Sequence, residues 1–420
     1  MPVQSLAVGL VRLVPHVFGF IETRIGSPFW RHLTHVYERF EELRLRMQFR
    51  RQKRASVKLA GRFCRRPFET FELQENGSVY LCCPAWVRER AGNLHEGRAR
   101  EIWNSKAAQA VRRSIHDGTF AYCNHSLCPE IQADSLPTIA EAKKDPRLSD
   151  IIEKKKTVLE GIPTFINLMN DKSCNLACPS CRTKRIQFND GPAYEARKRL
   201  QDRFVQDVLA QPTDQPFVLS VTGSGDPIAS RVFREFLFAL DRRNFPHMQV
   251  NFQTNGVLLT EKTWASLEKI HGAMGTISVS IDAATEATYR ITRRGGDWAQ
   301  LMRNMEMLGE LRRRGGIREL LVFFVVQKAN FREMPQFVEL GRRFNVDRVH
   351  FSKAYNWGTW TIAEHRDQQV WAPEHPEHAE FARIVANPVF DDPVVYMGTL
   401  TQQRRAVLRR REAEAAPATA

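Results

Sequence analysis

The chain has 420 residues, enough for one catalytic domain of roughly 200 residues and a smaller module. Hydrophobic residues at 43% and aromatics at 10% exclude a grossly disordered polymer. The formal net charge of +15 points towards nucleic acid, an anionic surface or an acidic partner. Much of that excess sits in Arg44–Arg54 and Arg404–Arg411, where solvated helix faces account for it.

Residues 1–57 read as one or two basic amphipathic helices that pack on the body of the protein. Arg12 and His16 interrupt the apolar start, so no secretion signal is expected. No apolar run approaches the roughly 20 residues of a membrane span, so no transmembrane segment is expected either. All eight cysteines fall at or before Cys181, and in an unsecreted chain thiols more often serve metals or catalysis than disulfides. A cytoplasmic protein with reduced cysteines follows as the expectation. Residues 58–135 hold five cysteines, residues 136–158 are charged and read as a helical linker, and residues 361–420 form an extension whose tail is expected to be disordered.

Between residues 159 and 360 short apolar runs alternate with segments of helical period. The strands expected are 163–169, 217–221, 248–252, 276–281, 319–326 and 346–352, each followed by a helix. Such alternation predicts parallel βα units in an α/β sheet or barrel. Reactive groups of these folds sit in loops at the carboxyl ends of strands. The first such loop reads DKSCNLACPSCR, with Cys174, Cys178 and Cys181 spaced C-x3-C-x2-C. Three thiolates at this spacing can ligate three irons of one 4Fe–4S cubane and leave the fourth iron open. A structural zinc site needs a fourth ligand, and no Cys or His follows within about a dozen residues.

Further motifs follow in order: VTGSGDP after the second strand, QTNG after the third, and SVSIDAATEATYRITRRGGDW across the fourth. With the cysteine triad they resemble the radical SAM superfamily over roughly residues 160–355. The resemblance implies a partial (β/α)6 barrel and reductive cleavage of S-adenosyl-L-methionine to a 5′-deoxyadenosyl radical that abstracts hydrogen from a substrate. It also implies cofactor contacts at Gly223, Ser224, Gly225 and Asp226, at Asn255, and at Ser280 and Asp282. Arg293 or Arg294 would pair with the methionine carboxylate, a natural partner for a guanidinium fork. Gln327, with Asn330 beside it, would face the adenosine. Two positions depart from the pattern: Ser180 stands where an aromatic is common, and Asp226 where glutamate is commoner.

Cys64, Gly77 and Cys82 are spaced like the opening of a SPASM or twitch auxiliary-cluster module, here ahead of the barrel. The expected ligands of one auxiliary 4Fe–4S cluster are Cys64, Cys82, Cys123 and Cys128, with a four-cysteine zinc module as the competitor. Cys83, adjacent to Cys82, faces the other side of any strand there. The expected outcome is oxidation or bond formation on a peptide, sugar or other small polar substrate, with electrons from a flavodoxin or ferredoxin. The alternatives are a radical epimerase with a thiol hydrogen donor and a basic nucleic-acid-binding or modifying protein.

Overall fold

The computed structural model describes residues 59–125, 128–221 and 224–415. The basic segment 1–57, Gly223 and the last five residues lie outside the described residues. All six expected barrel strands form. Introduced in chain order with the strands around them, they are β1 (Thr70–Gln74), β2 (Ser78–Tyr80), β3 (Arg90–Asn93), β4 (Phe165–Met169), β5 (Phe217–Val221), β6 (Met248–Thr254), β7 (Met274–Ser280), β8 (Glu319–Val326), β9 (Arg348–Lys353) and β10 (Val395–Tyr396). They make one sheet in the order β10-β9-β8-β7-β6-β5-β4-β1-β2-β3. From β4 to β9 every neighbouring pair is parallel, as expected of consecutive βα units.

The strands carry two faces because side chains alternate with a period of two. One face is aliphatic: Ile166, Leu168, Leu219, Val221, Val250 and Ile277 are all fully buried there. Helices such as Gly191–Val208, Trp298–Arg313 and Met334–Arg343 present their apolar sides in the same core, with Phe204, Leu308 and Phe337 fully buried. The other face is polar, with Asn167, Ser220, Asn251, Gln253, Ser278 and Ser280 in alternate positions. Phe204→Ala would open a cavity beneath β1, where its ring lies 6.3 Å from Phe71, and cost about 3–5 kcal/mol.

The sheet does not stop at β4. The cysteine-rich module extends it: β1 lies parallel to β4 in five-residue register, Thr70 opposite Phe165 and Gln74 opposite Met169. β2 and β3 then continue antiparallel. The connecting stretch is helical as expected, in two short helices, Ile139–Ala142 and Pro146–Glu153. Residues after 360 add β10, which pairs parallel with β9, and a final helix Thr401–Ala415 that carries the Arg-rich segment. No described helix is long and apolar enough to cross a membrane.

Candidate functional site

β4 ends at Met169, and the loop that follows is held from beneath. Asp171, fully buried, accepts hydrogen bonds from the backbone and hydroxyl of Ser173, both 2.8 Å, and from the Ser230 hydroxyl at 2.7 Å. The Cys174 amide donates to the Ile186 carbonyl at 2.7 Å, which closes the loop on itself. Cys174 and Cys178 are buried and Cys181 is exposed. Each sulfur has its own donors. The Leu176 amide and the Asn255 side chain approach Cys174 at 3.4 and 3.8 Å. Arg293 approaches Cys178 at 3.7 Å, and Arg182 approaches Cys181 at 3.5 Å. Donors and guanidinium groups on sulfur favour thiolate over thiol.

Burial works the other way. It pushes the Cys174 thiol up to about 11, with the Asp226 carboxylate adding to the effect. It pushes Cys178 up as well, against the pull of Arg293. A thiolate in this loop needs a cation beyond the arginines, and iron ligation supplies one while displacing the protons. The chemistry of the donor set therefore fits an iron–sulfur cluster on Cys174, Cys178 and Cys181.

Around the triad the expected cofactor contacts divide. Gly225 is glycine for close packing: a Cβ would sit 2.5 Å from the Ser173 carbonyl oxygen and 2.8 Å from that of Asp171. The turn after β5 thus rests on the triad loop, and the Ser224 carbonyl accepts from Arg182 at 2.5 Å. Asp226 has its carboxylate fully engaged inside the protein. One oxygen accepts from the Ile228 and Ala229 amides at 3.0 Å each, the other from the Thr254 hydroxyl at 2.7 Å and the Asn255 amide at 2.8 Å. It positions the turn and the QTNG loop, where a direct cofactor contact was expected. Asn255 itself reaches the site, bonded to Asn175 at 2.8 Å as well as facing Cys174.

Asp282 and Arg293 were each expected to face the cofactor. In the structure they pair with each other at 2.7 Å beside Cys178, with Asp282 buried and Arg293 half-buried. Asp282 adopts φ 58°, and its other oxygen accepts from the Val325 amide at 2.7 Å. Burial pushes its carboxyl above the ordinary range and Arg293 pulls it back. Arg294 is exposed and donates to the Ala177 and Thr183 carbonyls, so it braces the loop from outside. Ser280 is half-buried at the carboxyl end of β7. Asn330 is consumed by the Asp282 and Val325 carbonyls. Gln327, 4% exposed, has a side-chain NH2 without a protein acceptor, as a residue awaiting a ligand would.

The second cysteine group converges as well. Cys64, Cys82, Cys123 and Cys128 are electrostatic neighbours in all six pairings. Of the other thiols Cys83 neighbours Cys82, and it also lies beside Glu72, Arg66 and the Ala85 amide. Burial first, and the other thiols with it, pushes Cys64 up to about 12 and raises Cys82 and Cys123 as well. Four neighbouring thiols can supply the four ligands of a cubane.

The two cysteine sites lie at opposite ends of the sheet. The triad follows the carboxyl end of β4. Cys64 precedes β1, and Cys82 follows β2, which runs back antiparallel with Tyr80 opposite Glu72. The five residues of β1 separate the two ends by roughly 16 Å.

Three residues with evident roles carried little signal. Arg182 directly follows the third cysteine, and an adjacent cation beside a thiolate cluster could have been noticed. Glu75, in the β1–β2 turn, pairs with Lys172 at 3.0 Å and with Arg197, whose guanidinium also lies 3.7 Å from Asp171. It ties the module to the triad loop. Glu72 lies on the polar face, 5% exposed, accepting from Gln74 at 2.8 Å and Asn167 at 3.1 Å.

Comparison with known proteins agrees with this geometry. Residues 172–340 match the family model of the radical SAM superfamily, and residues 64–129 match that of SPASM, an iron–sulfur cluster-binding domain. Among solved structures, Streptococcus suis SuiB bound to the precursor peptide SuiA is 14% identical. The match covers 68% of this chain and 62% of that one, at a TM-score of 0.34. SuiB bound to S-adenosylmethionine matches at 14% identity, 70% and 66% coverage and a TM-score of 0.35. Native anSMEcpe with bound AdoMet and Cp18Cys peptide is 19% identical, with 46% and 51% coverage and a TM-score of 0.33. The chain thus spans less than two thirds of the SuiB chain. No curated protein matches it.

Proposed function

The chain belongs to the radical SAM superfamily and carries a SPASM domain on the N-terminal side of its radical SAM region, and on that premise we propose that it oxidises or cross-links an unactivated C–H position of a polar substrate, a peptide or carbohydrate. Cys174, Cys178 and Cys181 would hold the cofactor-binding cluster, and Cys64, Cys82, Cys123 and Cys128 the auxiliary one. Bound together, the reduced cluster and S-adenosylmethionine supply a 5′-deoxyadenosyl radical able to take a hydrogen atom from the substrate. The protein's own part is positioning. The Asp171 and Asp226 networks fix the triad loop and the turn above it, so the cofactor's polar end would meet a pre-formed surface. Arg293 offers a guanidinium beside Cys178, and Gln327 an unspent amide across the site.

The observation that carries this reading is the provision of a separate donor for each of the three triad sulfurs. An oxidative outcome is supported by the second thiol group, since an auxiliary cluster can accept the electron left on a substrate radical. Flavodoxin or ferredoxin is the electron donor we favour, in the cytoplasm. Anaerobic reconstitution followed by iron counting and an assay for 5′-deoxyadenosine tests it. About eight irons per chain with 5′-deoxyadenosine formed is the expected result. No 5′-deoxyadenosine from a fully loaded protein overturns it.

A second reading within the class is epimerisation, with Cys83 returning a hydrogen atom. Its support is that Cys83 neighbours Cys82 alone of the thiol quartet and lies beside Glu72. Intact clusters with unchanged product in Cys83→Ala would remove it. Nucleic-acid binding has less behind it: of the two Arg-rich segments, the C-terminal one lies on an exposed helix, with Arg404 bound to Asp391 and the Val385 carbonyl.

A further inference from the structure

Glu72 is buried in the middle of β1. Its strand neighbours are Asn167 across the parallel pair and Tyr80 across the antiparallel one. One carboxylate oxygen accepts from Gln74 at 2.8 Å and the other from Asn167 at 3.1 Å. Both donors are neutral amides, and Glu72 makes no ion pair among the described residues. A buried carboxylate without a paired cation is costly to keep ionised. Burial accordingly pushes its carboxyl above the ordinary range, against the pull of Asn167, Gln74 and Arg66. The protonated form also has a place for its hydrogen. Asn167 keeps a buried side-chain oxygen that has no hydrogen-bond partner among the described residues. Turning that amide over lets a Glu72 O–H donate to it, so protonation exchanges one hydrogen bond for another.

Position relates this carboxyl to the thiol quartet. Cys82 follows Tyr80, the partner of Glu72, by two positions, and the diagonal spacing of an antiparallel pair is about 7–8 Å. Arg66 is an electrostatic neighbour of Glu72 and equally of Cys64, Cys82, Cys83 and Cys128. Cys83 lies beside Glu72 and next to Cys82 in the chain. Glu72 is close enough to feel a charge on the quartet and is not one of its ligands.

We propose that Glu72 takes up a proton when the auxiliary cluster gains an electron, so that the electron enters this buried region without adding net negative charge. The inference rests on the reading above that Cys64, Cys82, Cys123 and Cys128 hold a 4Fe–4S cluster. One electron passes from a reductant to the cluster, one proton passes from solvent to a Glu72 carboxylate oxygen, and no other bond changes. The added electron raises the proton affinity of Glu72, and by linkage a proton on Glu72 raises the electron affinity of the cluster. At about 8 Å in a partly buried setting, one charge changes such an equilibrium by about tenfold. The sign follows: reduction becomes harder as pH rises through the range in which Glu72 loses its proton. The other charged or titratable groups facing Glu72 are Arg66, the Cys83 thiol and the Tyr80 phenol, while Gln74 and Asn167 are neutral.

The test is an anaerobic redox titration of the reconstituted holoenzyme with dithionite, followed by electron paramagnetic resonance at several pH values between about 5 and 8. The wave that disappears in Cys128→Ser belongs to the auxiliary cluster. Its equilibrium constant for reduction should fall about tenfold across that range, or about 59 mV for a one-electron couple. In Glu72→Gln the change should be less than about twofold, whereas Cys83→Ala and Tyr80→Phe should keep the fall. On the unaltered holoenzyme, reduced-minus-oxidised infrared spectra should show the carbonyl stretch of a protonated carboxylic acid, displaced in heavy water. A pH-independent wave, a fall that survives Glu72→Gln, or absence of the infrared band would overturn the proposal. A holoenzyme with about four irons and no second wave would instead remove the auxiliary cluster itself, and the proposal with it.

Discussion

Replacing Asp226 with alanine removes an acceptor that serves four donors: the amides of Ile228, Ala229 and Asn255 and the hydroxyl of Thr254. Asp226 is 1% exposed, so water does not readily take its place. Each hydrogen bond to a charged acceptor is worth about 1.5–3 kcal/mol, but the four are not additive, and relief of the carboxylate's own desolvation offsets part of the loss. A net cost of about 4 kcal/mol for Asp226→Ala is the resulting expectation. Asp226→Asn keeps one oxygen and turns an NH2 towards one donor pair, for about 2 kcal/mol. Chemical denaturation of the reconstituted protein under argon measures both. S-adenosylmethionine affinity should fall only as far as Asn255 is displaced from Cys174. An Asp226→Ala variant within about 0.5 kcal/mol of the parent whose cofactor affinity has nonetheless collapsed would refute the positioning role. It would restore the direct contact that the sequence suggested.

Three further outcomes follow from the same geometry. Serine at Cys64, Cys82, Cys123 or Cys128 should lower the iron count from about eight to about four per chain, while Cys83→Ala leaves about eight. Glu75→Ala removes one ion-pair partner from each of Lys172 and Arg197, so iron should leave the triad faster than it leaves the quartet, as followed by electron paramagnetic resonance; equal rates would count against the brace. His350 lies between Phe323 and Tyr396, with ring centroids at 4.5 and 4.8 Å, and burial with Arg348 nearby pushes it down to about 4. The unfolded chain takes up that proton near pH 6.5 and the folded one only near 4, so stability is complete above about 6.5 and falls as pH drops. The loss should reach about 2 kcal/mol after allowing for partial exposure, and His350→Gln should flatten that part of the pH profile.

The barrel strands were legible because alternation of apolar residues is a local property, and β5 and β8 match their expected ranges to the residue. The triad was legible for a related reason: three soft ligands within eight residues need no fold to bring them together. What could not be read was pairing between distant segments. Glu72 and Asn167 are bonded across 95 positions, and nothing local in either says that β1 closes the edge of β4. β10 has two residues, too few for a period to show. Asp282 and Arg293 were each read singly, and nothing local in either announced that they pair with one another.

The order of the chain explains why the auxiliary site precedes the barrel and lies at its opposite end. β1 and β4 are parallel neighbours, and parallel neighbours cannot be joined by a hairpin: the chain must cross from the carboxyl end of one to the amino end of the other. Residues 75–164 make that crossing, and Cys82, Cys83, Cys123 and Cys128 all fall within it. Cys64, five residues before Glu69, already sits at the amino end where the crossing must finish. A crossover that returns to that end brings its thiols to Cys64 as a consequence of direction. The triad, by contrast, follows β4 and is carried to the carboxyl end. Opposite placement of the two sites is therefore fixed by strand polarity.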